Sequence, residues 1–251
     1  IESALAAHHT DLATLADHPQ LRFLIAALRQ NPPASGLDIA IDSDIDPTLG
    51  LGSSAAVTAA ITALLYRLRG QNPDLLALHR AAYRTILTVQ QRGSGADLAA
   101  SLAGGIIAYQ NRPFTVITPL PAPPSGLSLR YAGYKTPTAE VLARIAASAT
   151  VDPEYYRDLY DRMGASSARS IAAAERGDWA DFYHELNQYQ EHMTALGVTN
   201  RRKPLWEPQH SPTSATAWPP WDPASVSASW SARPRKRPPA SPRLPDASSP
   251  T

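Results

Sequence analysis

A glycine- and serine-rich turn that runs directly into an apolar helix is the feature that most constrains how this chain folds. The stretch PTLGLGSSAAVTAAITALL occupies residues 47–65. Before it, LDIAID (residues 37–42) alternates apolar and polar side chains as a half-buried strand does. After it, apolar side chains recur at helical spacing from Val57 to Leu68, and Gly70 follows as a stop signal. The sequence therefore predicts a strand, a tight turn and a helix in succession.

The turn itself has two interpretations. In the first, free backbone N–H groups at the start of the helix bind an anion, and the glycines let a phosphate approach closely. The hydroxyls of Ser53 and Ser54 would then reach phosphate oxygens or a bound Mg²⁺. In the second, the segment is an ordinary capped helix after a tight turn. The lysine of a Walker-type loop is absent, and no acid follows on a second strand as a dinucleotide fold requires.

The remaining pattern predicts an α+β fold. Helical spacing covers residues 21–28, 73–91 and 152–196, and strands are predicted at residues 106–110 and 127–132. Strands and helices are mixed without a regular βαβ repeat, which favours α+β over a doubly wound parallel sheet.

Composition changes sharply near residue 200. Residues 201–251 contain 12 of the 24 prolines and four of the five tryptophans, and they carry a net charge of +5 against about −4 for residues 1–200. This segment has too little aliphatic surface to build a core, so we expect a basic tail that is disordered or frame-shifted.

Charge and composition also exclude several classes of function. The acidic body offers no electrostatic basis for binding nucleic acid, and no apolar run is long enough for a membrane helix. The chain has no cysteine, which excludes a disulfide framework and fits a cytoplasmic protein. The seven histidines, His79 among them, show no metal-ligand spacing and are assigned no role.

Three segments, in order, resemble motifs of the GHMP kinase superfamily. They are PTLGLGSSAAV (residues 47–57), GSGADLAASLAGG (residues 93–105) and ELNQYQEHMTALGV (residues 185–198). The resemblance implies a ribosomal protein S5 domain 2-like N-terminal domain at residues 1–120 and a ferredoxin-like C-terminal domain at residues 121–200. It also implies a chain incomplete at both ends, since the first and third family motifs are missing.

The resemblance implies a site as well. ATP would be bound by Gly50, Leu51, Gly52, Ser53, Ser54 and Ala55, with Ser54 also helping to hold Mg²⁺. Asp97 would be the catalytic carboxylate that orients the acceptor and takes its proton. The acceptor would contact Arg92, Ser94, Gly95 and Lys135, with Arg130 also available. From the residues alone, Asp97 fits a helix N-cap equally well, Arg92 a helix C-terminal charge and Lys135 an exposed loop lysine.

Two features of the sequence predict which molecule accepts the phosphoryl group: the triplet at residues 93–95 and the composition of the preceding helix. Gln90-x-x-Gly93-Ser94-Gly95-x-Asp97 resembles phosphomevalonate kinases more than the Pro-Ser-Gly triplet of mevalonate kinases, and residues 79–92 carry no acid. A phosphorylated acceptor favours nearby cations and is repelled by an extra carboxylate. We therefore expect ATP-dependent phosphorylation of 5-phosphomevalonate, a small-molecule partner, with the oligomeric state left open. The alternatives are a mevalonate kinase with a hydroxyl acceptor and an inactive remnant or nucleotide-binding module.

Overall fold

The computed structural model describes residues 1–47, 49–124 and 138–198. In chain order the elements are β1 (Glu2–Ser3), α1 (Arg22–Gln30), β2 (Ala40–Ile41), α2 (Ser53–Leu68), α3 (Leu75–Gln90), α4 (Ala96–Ala103), β3 (Ile106–Gln110), β4 (Val116–Leu120), α5 (Thr138–Val151), α6 (Pro153–Arg176) and α7 (Trp179–Ala195). Strands β1 and β2 pair in parallel, and β3 and β4 form an antiparallel hairpin in which Ile106 lies opposite Leu120. The predicted α+β class is confirmed.

Helix α2 contacts α1, α3 and α4. On the side of α1, Ile61 and Leu65 pack into a core of aliphatic side chains. On the side of α3 and α4, the buried hydrophobic side chains of α2 are the small Ala55 and Ala59. Their partners are Ala82, Ile86, Leu98 and Leu102. Because alanine fills little space, the backbones of α3 and α4 approach α2 closely, and this approach brings the ends of the helices together.

The helices predicted at residues 21–28, 54–70 and 73–91 are confirmed within about two residues at each end. Local chemistry explains the limits of α3. Its N-cap is Asp74, whose carboxylate accepts a hydrogen bond of 2.7 Å from the Ala77 N–H. The helix ends at Gln91, which adopts a left-handed conformation with φ 60°.

The strand predicted at residues 37–42 is shorter than expected. Only Ala40 and Ile41 pair, because their partner β1 offers two residues, Glu2 and Ser3. The side chains of Leu37, Ile39 and Ile41 still pack against the core of α1 and α2. The alternating pattern therefore predicted correctly which side chains are buried, but the predicted strand was longer than the paired segment.

The prediction that residues 152–196 are helical is confirmed, and the structure divides them between α6 and α7. Gly177 adopts φ 72° after α6, and the Asp178 carboxylate caps α7 by accepting from the Asp181 N–H. Strand β4 was not predicted, because Pro119 lies within it; a two-stranded hairpin tolerates proline since both strands are edges.

The hairpin joins the helices of the first half to those of the second. Ile106 and Leu120 pack against Ala173 of α6 and against Phe182 and Tyr183 of α7, while β3 also contacts α4. The division into domains at residues 1–120 and 121–200 stays a prediction. The strand predicted at 127–132 and the tail at 201–251 lie outside the described residues. Within the described part of the chain, no helix is both long and apolar enough to cross a bilayer.

A buried carboxylate connects α6 to α7. Glu185 is only 5% exposed, and Arg169 donates hydrogen bonds to its Oε1 and Oε2 atoms at 2.6 and 3.0 Å. The Ser166 hydroxyl donates to Oε2 at 2.9 Å. The Arg169 hydrogen bonds are the main reason that the pKa of Glu185 lies below its usual range; burial acts in the opposite direction.

We predict that Glu185→Gln lowers the free energy of unfolding at pH 7 by about 1–3 kcal/mol, because a charged hydrogen-bond acceptor is lost from a buried position. The folded-state pKa lies below the unfolded one, so the charge stabilises fully above the ordinary glutamate value of about 4.3. Its contribution disappears as the pH falls through the folded-state pKa. Urea unfolding of both proteins from pH 7 to pH 3 should show the difference shrinking. Glu154→Gln, at an exposed ion pair with Arg157, is the control and should change little.

Candidate functional site

The N-terminal ends of α2 and α4 lie side by side, and each helix begins after a glycine in the left-handed conformation. Gly52 has φ 75° before α2, and Gly95 has φ 80° before α4. A β-carbon built on Gly52 would lie 3.8 Å from Cβ of Asp97, the second residue of α4. The glycine-serine turn and the segment around Asp97, which are more than 40 residues apart in sequence, therefore form one surface.

The start of α2 presents several hydrogen-bond donors. The first helical bond runs from the Ala56 N–H to the Gly52 oxygen, at 3.0 Å, so the N–H groups of the three preceding residues have no acceptor in the helix. Gly52 has no side chain with which to cap them. Among the described residues, the hydroxyls of Ser53 and Ser54 have no hydrogen-bond partner. An uncapped helix start with two free hydroxyls suits an anion with several oxygens.

The other predicted loop residues lie where the turn needs them. Gly50 adopts φ 76°, which a residue with a side chain rarely does. Leu51 is exposed, whereas Ala55 is buried between α2 and its neighbours. The loop thus has an apolar anchor at one end and an open, polar surface at the other.

Asp97 is exposed, and its carboxylate makes no hydrogen bond or ion pair with any residue that the structure describes. The interpretation of Asp97 as an N-cap is wrong, because Gly95 occupies the N-cap position and Asp97 already has helical geometry. The dipole of α4 favours a negative charge at this position. A carboxylate without a partner is available to orient a hydroxyl and accept its proton.

The turn before Asp97 is held by three side chains that the sequence did not single out. The Tyr83 hydroxyl donates to the Gly93 oxygen and the Tyr109 hydroxyl to the Ser94 oxygen, both at 2.7 Å. His79 Nε2 lies 3.1 Å from the Gly95 oxygen. Burial lowers the pKa of His79 and raises that of Tyr109. The sequence did contain a signal that these two side chains act together, because His79 and Tyr83 are four residues apart and therefore share one face of α3.

Among the remaining predicted residues, Ser94 is exposed, and its Oγ accepts from the Ala96 N–H at 3.3 Å. Arg92 is exposed and makes no hydrogen bond or ion pair within residues 1–47, 49–124 and 138–198. Lys135 and Arg130 lie outside the described residues. In the described ranges, no group of three or more His, Asp or Glu side chains is placed to hold a metal ion.

Comparison with known proteins identifies a family that this chain resembles. Residues 21–105 match the model of the GHMP kinases N terminal domain. The chain is 30% identical over 185 residues to the mevalonate kinase of Pyrococcus horikoshii, a match that covers 70% of this chain and 53% of that protein. It is 30% identical over 171 residues to the mevalonate kinase of Thermococcus sibiricus, covering 66% of this chain and 50% of that protein. The chain thus spans about half the length of the curated relatives it matches.

A solved structure shares the fold. The crystal structure of a Lin0012 protein from Listeria innocua is similar with a TM-score of 0.64, over 73% of this chain and 61% of that chain. Sequence identity in this pair is 22%, so the likeness concerns the fold alone.

We predict that Gly95→Ala destabilises the fold more than the same change at Gly70. Both glycines have similar backbone angles, φ 80° and φ 70°, so both alanine variants suffer the same backbone strain. A β-carbon at residue 95 would lie 2.9 Å from Tyr109 Oη and 3.0 Å from two ring carbons of Tyr83, whereas one at residue 70 meets nothing within 4 Å. The loss of unfolding free energy should be larger for Gly95→Ala by about 1–3 kcal/mol. Equal losses in chemical denaturation would contradict the close packing described here.

Proposed function

Because this chain belongs to the GHMP kinase superfamily, we propose that the protein transfers the γ-phosphoryl group of ATP to the hydroxyl of a small molecule, with mevalonate as the acceptor. The observation that carries the proposal is the closeness of the uncapped start of α2 at Gly52 to Asp97: a β-carbon built on Gly52 would lie 3.8 Å from Cβ of Asp97. One side suits a triphosphate, and the other suits the hydroxyl that attacks it. Phosphoryl transfer requires mainly that these two groups be positioned and that charge be neutralised.

On the donor side, residues 50–55 bind the triphosphate of ATP. The free N–H groups at the start of α2 donate to phosphate oxygens, and the helix dipole favours the negative charge. Gly52 lets the phosphate chain approach the backbone, since a side chain there would fill the space between the turn and Asp97. The hydroxyl of Ser53 supplies a further donor.

Magnesium fits the groups on this surface. Mg²⁺ is usually held by one or two protein oxygens together with substrate phosphates, which agrees with a site that lacks a cluster of three acidic or histidine side chains in the described ranges. The free hydroxyl of Ser54 is the protein group that would hold it. When bound, Mg²⁺ neutralises charge on the phosphate oxygens.

On the acceptor side, the carboxylate of Asp97 accepts a hydrogen bond from the attacking hydroxyl and so orients its oxygen. The new bond joins that oxygen to the γ-phosphorus while the bond from phosphorus to the bridging oxygen of ADP breaks. The hydroxyl proton passes to the carboxylate. Ser94 and Arg92 are exposed beside this position and would contact the rest of the acceptor.

The acceptor expected from the sequence, 5-phosphomevalonate, lacks support. The relatives reported above are named mevalonate kinase. The Asp97 carboxylate, which has no partner among the described residues, can accept a hydrogen bond from a neutral hydroxyl such as that of mevalonate. The names of these relatives therefore support mevalonate, the alternative acceptor in the sequence analysis.

Asp97→Asn tests the acceptor side. The amide keeps the size of the side chain but cannot take the proton, so kcat with mevalonate should fall by about 10²-fold or more. Affinity for ATP should change little. The measurement is steady-state kinetics of the purified protein, with mevalonate and 5-phosphomevalonate supplied separately. Asp161→Asn, an exposed carboxylate on α6, is the matched control. If the unmodified protein phosphorylates only 5-phosphomevalonate, mevalonate is not the acceptor. If it phosphorylates neither compound, the protein is better described as an inactive remnant.

Gly52→Val tests the donor side. The new side chain would occupy the space that the phosphates need, so affinity for ATP–Mg²⁺ should fall at least about tenfold. Gly70→Val is the matched control, because Gly70 has nearly the same φ and open space around it. Binding is measured by calorimetry, and the folded fraction of each variant by circular dichroism. If both variants are folded and bind ATP as tightly as the original protein, the loop does not hold the nucleotide.

A further inference from the structure

We infer that His79, Tyr83 and Tyr109 act as positioning residues that set the location of Asp97 by binding the three backbone oxygens of the turn before it. We call these three side chains the carbonyl clamp. The inference rests on the proposed function, because Asp97 is the group that is positioned.

The clamp satisfies every carbonyl of the turn. The oxygens of Gly93, Ser94 and Gly95 are consecutive, and each lies within hydrogen-bond distance of a different side chain, at 2.7, 2.7 and 3.1 Å. The Gly95 oxygen also accepts the first hydrogen bond of α4, from the Ala99 N–H at 2.9 Å. The Gly93 and Ser94 oxygens depend on side chains or water, because a turn carbonyl has no regular partner in a helix or sheet. Here the partners come from two elements, α3 and β3. The turn is therefore tied to both at once.

Packing restricts the turn further. The rings of His79 and Tyr83 are stacked with centroids 5.7 Å apart, and the His79 and Tyr109 rings are 5.6 Å apart. A β-carbon on Gly95 would come within 3.0 Å of both tyrosines. Asn111 Nδ2 also donates to the Tyr83 hydroxyl, at 3.4 Å. Tyr83 thus has an acceptor for its own proton and a donor to its oxygen, which defines the direction of its hydrogen bond.

The state of His79 follows from its surroundings. The ring is fully buried, and Nδ1 has no hydrogen-bond partner among the described residues. Nε2 must carry the proton if it is to donate to the Gly95 oxygen. A second proton on Nδ1 would be buried without an acceptor, which costs free energy. His79 is therefore a neutral donor toward the turn.

The position of Asp97 depends on this turn because its own side chain has no partner in the described part of the chain. Only the backbone locates it: the turn at residues 93–95 on one side, and the buried Leu98 and Ala99 on the other. A catalytic carboxylate displaced by about 1 Å can lose 10²-fold in rate. Loosening the turn should therefore reduce catalysis without changing any group that touches the substrates.

The test uses Tyr83→Phe, Tyr109→Phe and the double variant, which remove the hydroxyl donors and keep the rings. Hydrogen exchange of residues 93–98, followed by mass spectrometry or NMR, should accelerate by roughly tenfold in the double variant. Melting temperature should stay close to that of Tyr160→Phe, the matched control at an exposed tyrosine of α6 (48% exposed). Exchange is measured on the whole protein and does not require activity.

Kinetics then separate positioning from simple stability. We expect kcat of the double variant to fall by about tenfold or more while the KM for ATP stays within about twofold. In the Asp97→Asn background the same tyrosine changes should cause no further fall, since they act through Asp97. A purely structural role would lower the melting temperature and leave kcat per folded molecule unchanged. His79→Gln, which retains a donor, should be less impaired than His79→Leu.

Each outcome decides a separate point. Unchanged exchange in the double variant overturns the carbonyl clamp, whatever the kinase assay shows. If the tyrosine substitutions lower kcat as much in the Asp97→Asn variant as in the unmodified protein, they do not act by positioning Asp97. If the unmodified protein is inactive but exchange accelerates, the clamp is supported and the proposed function is overturned.

Discussion

The close packing of α2 against α4 is the interaction on which the rest of the site depends. Ala55 and Ala59 occupy the face of α2 that meets Leu98 and Leu102, and a β-carbon built on Gly52 at the start of this helix would lie 3.8 Å from Cβ of Asp97. Larger side chains on this face would overpack the core and push the helix ends apart. The closeness of the glycine-serine turn to Asp97 is therefore a consequence of core packing.

The β3–β4 hairpin extends this constraint in two directions. Tyr109 of β3 reaches back to the turn before α4, while Ile106 and Leu120 pack on α6 and α7. The same two strands thus support the candidate site and anchor the second group of helices. In that group the buried Glu185 ties α6 to α7 through hydrogen bonds from Arg169 and Ser166. The polar groups buried here and beside the turn are thus mostly paired, as a low-dielectric interior requires.

Much of the fold and part of the site were predictable because their signals are local. Helical periodicity identified α1, α2 and α3, and the glycine-serine turn marked the start of α2. Other features were missed for physical reasons. Pro119 concealed strand β4, since proline usually breaks a ladder and is tolerated here only at an edge. The helical pattern of residues 152–196 did not locate the break between α6 and α7, which lies at Gly177. His79 looked like a histidine without a role, because its partner, the Gly95 oxygen, is a backbone atom that no motif reveals.

Local sequence patterns account for the α+β class, the buried faces of the helices and the glycine turn that precedes α2. These depend on spacing and on backbone freedom, which are written in neighbouring residues. The three-dimensional arrangement was needed to show that Gly52 lies near Asp97, that Asp97 is not an N-cap, and that Tyr83 and Tyr109 bind the turn before α4. Those contacts join residues from 10 to 45 positions apart, and packing between helices, which no local pattern encodes, brings them together.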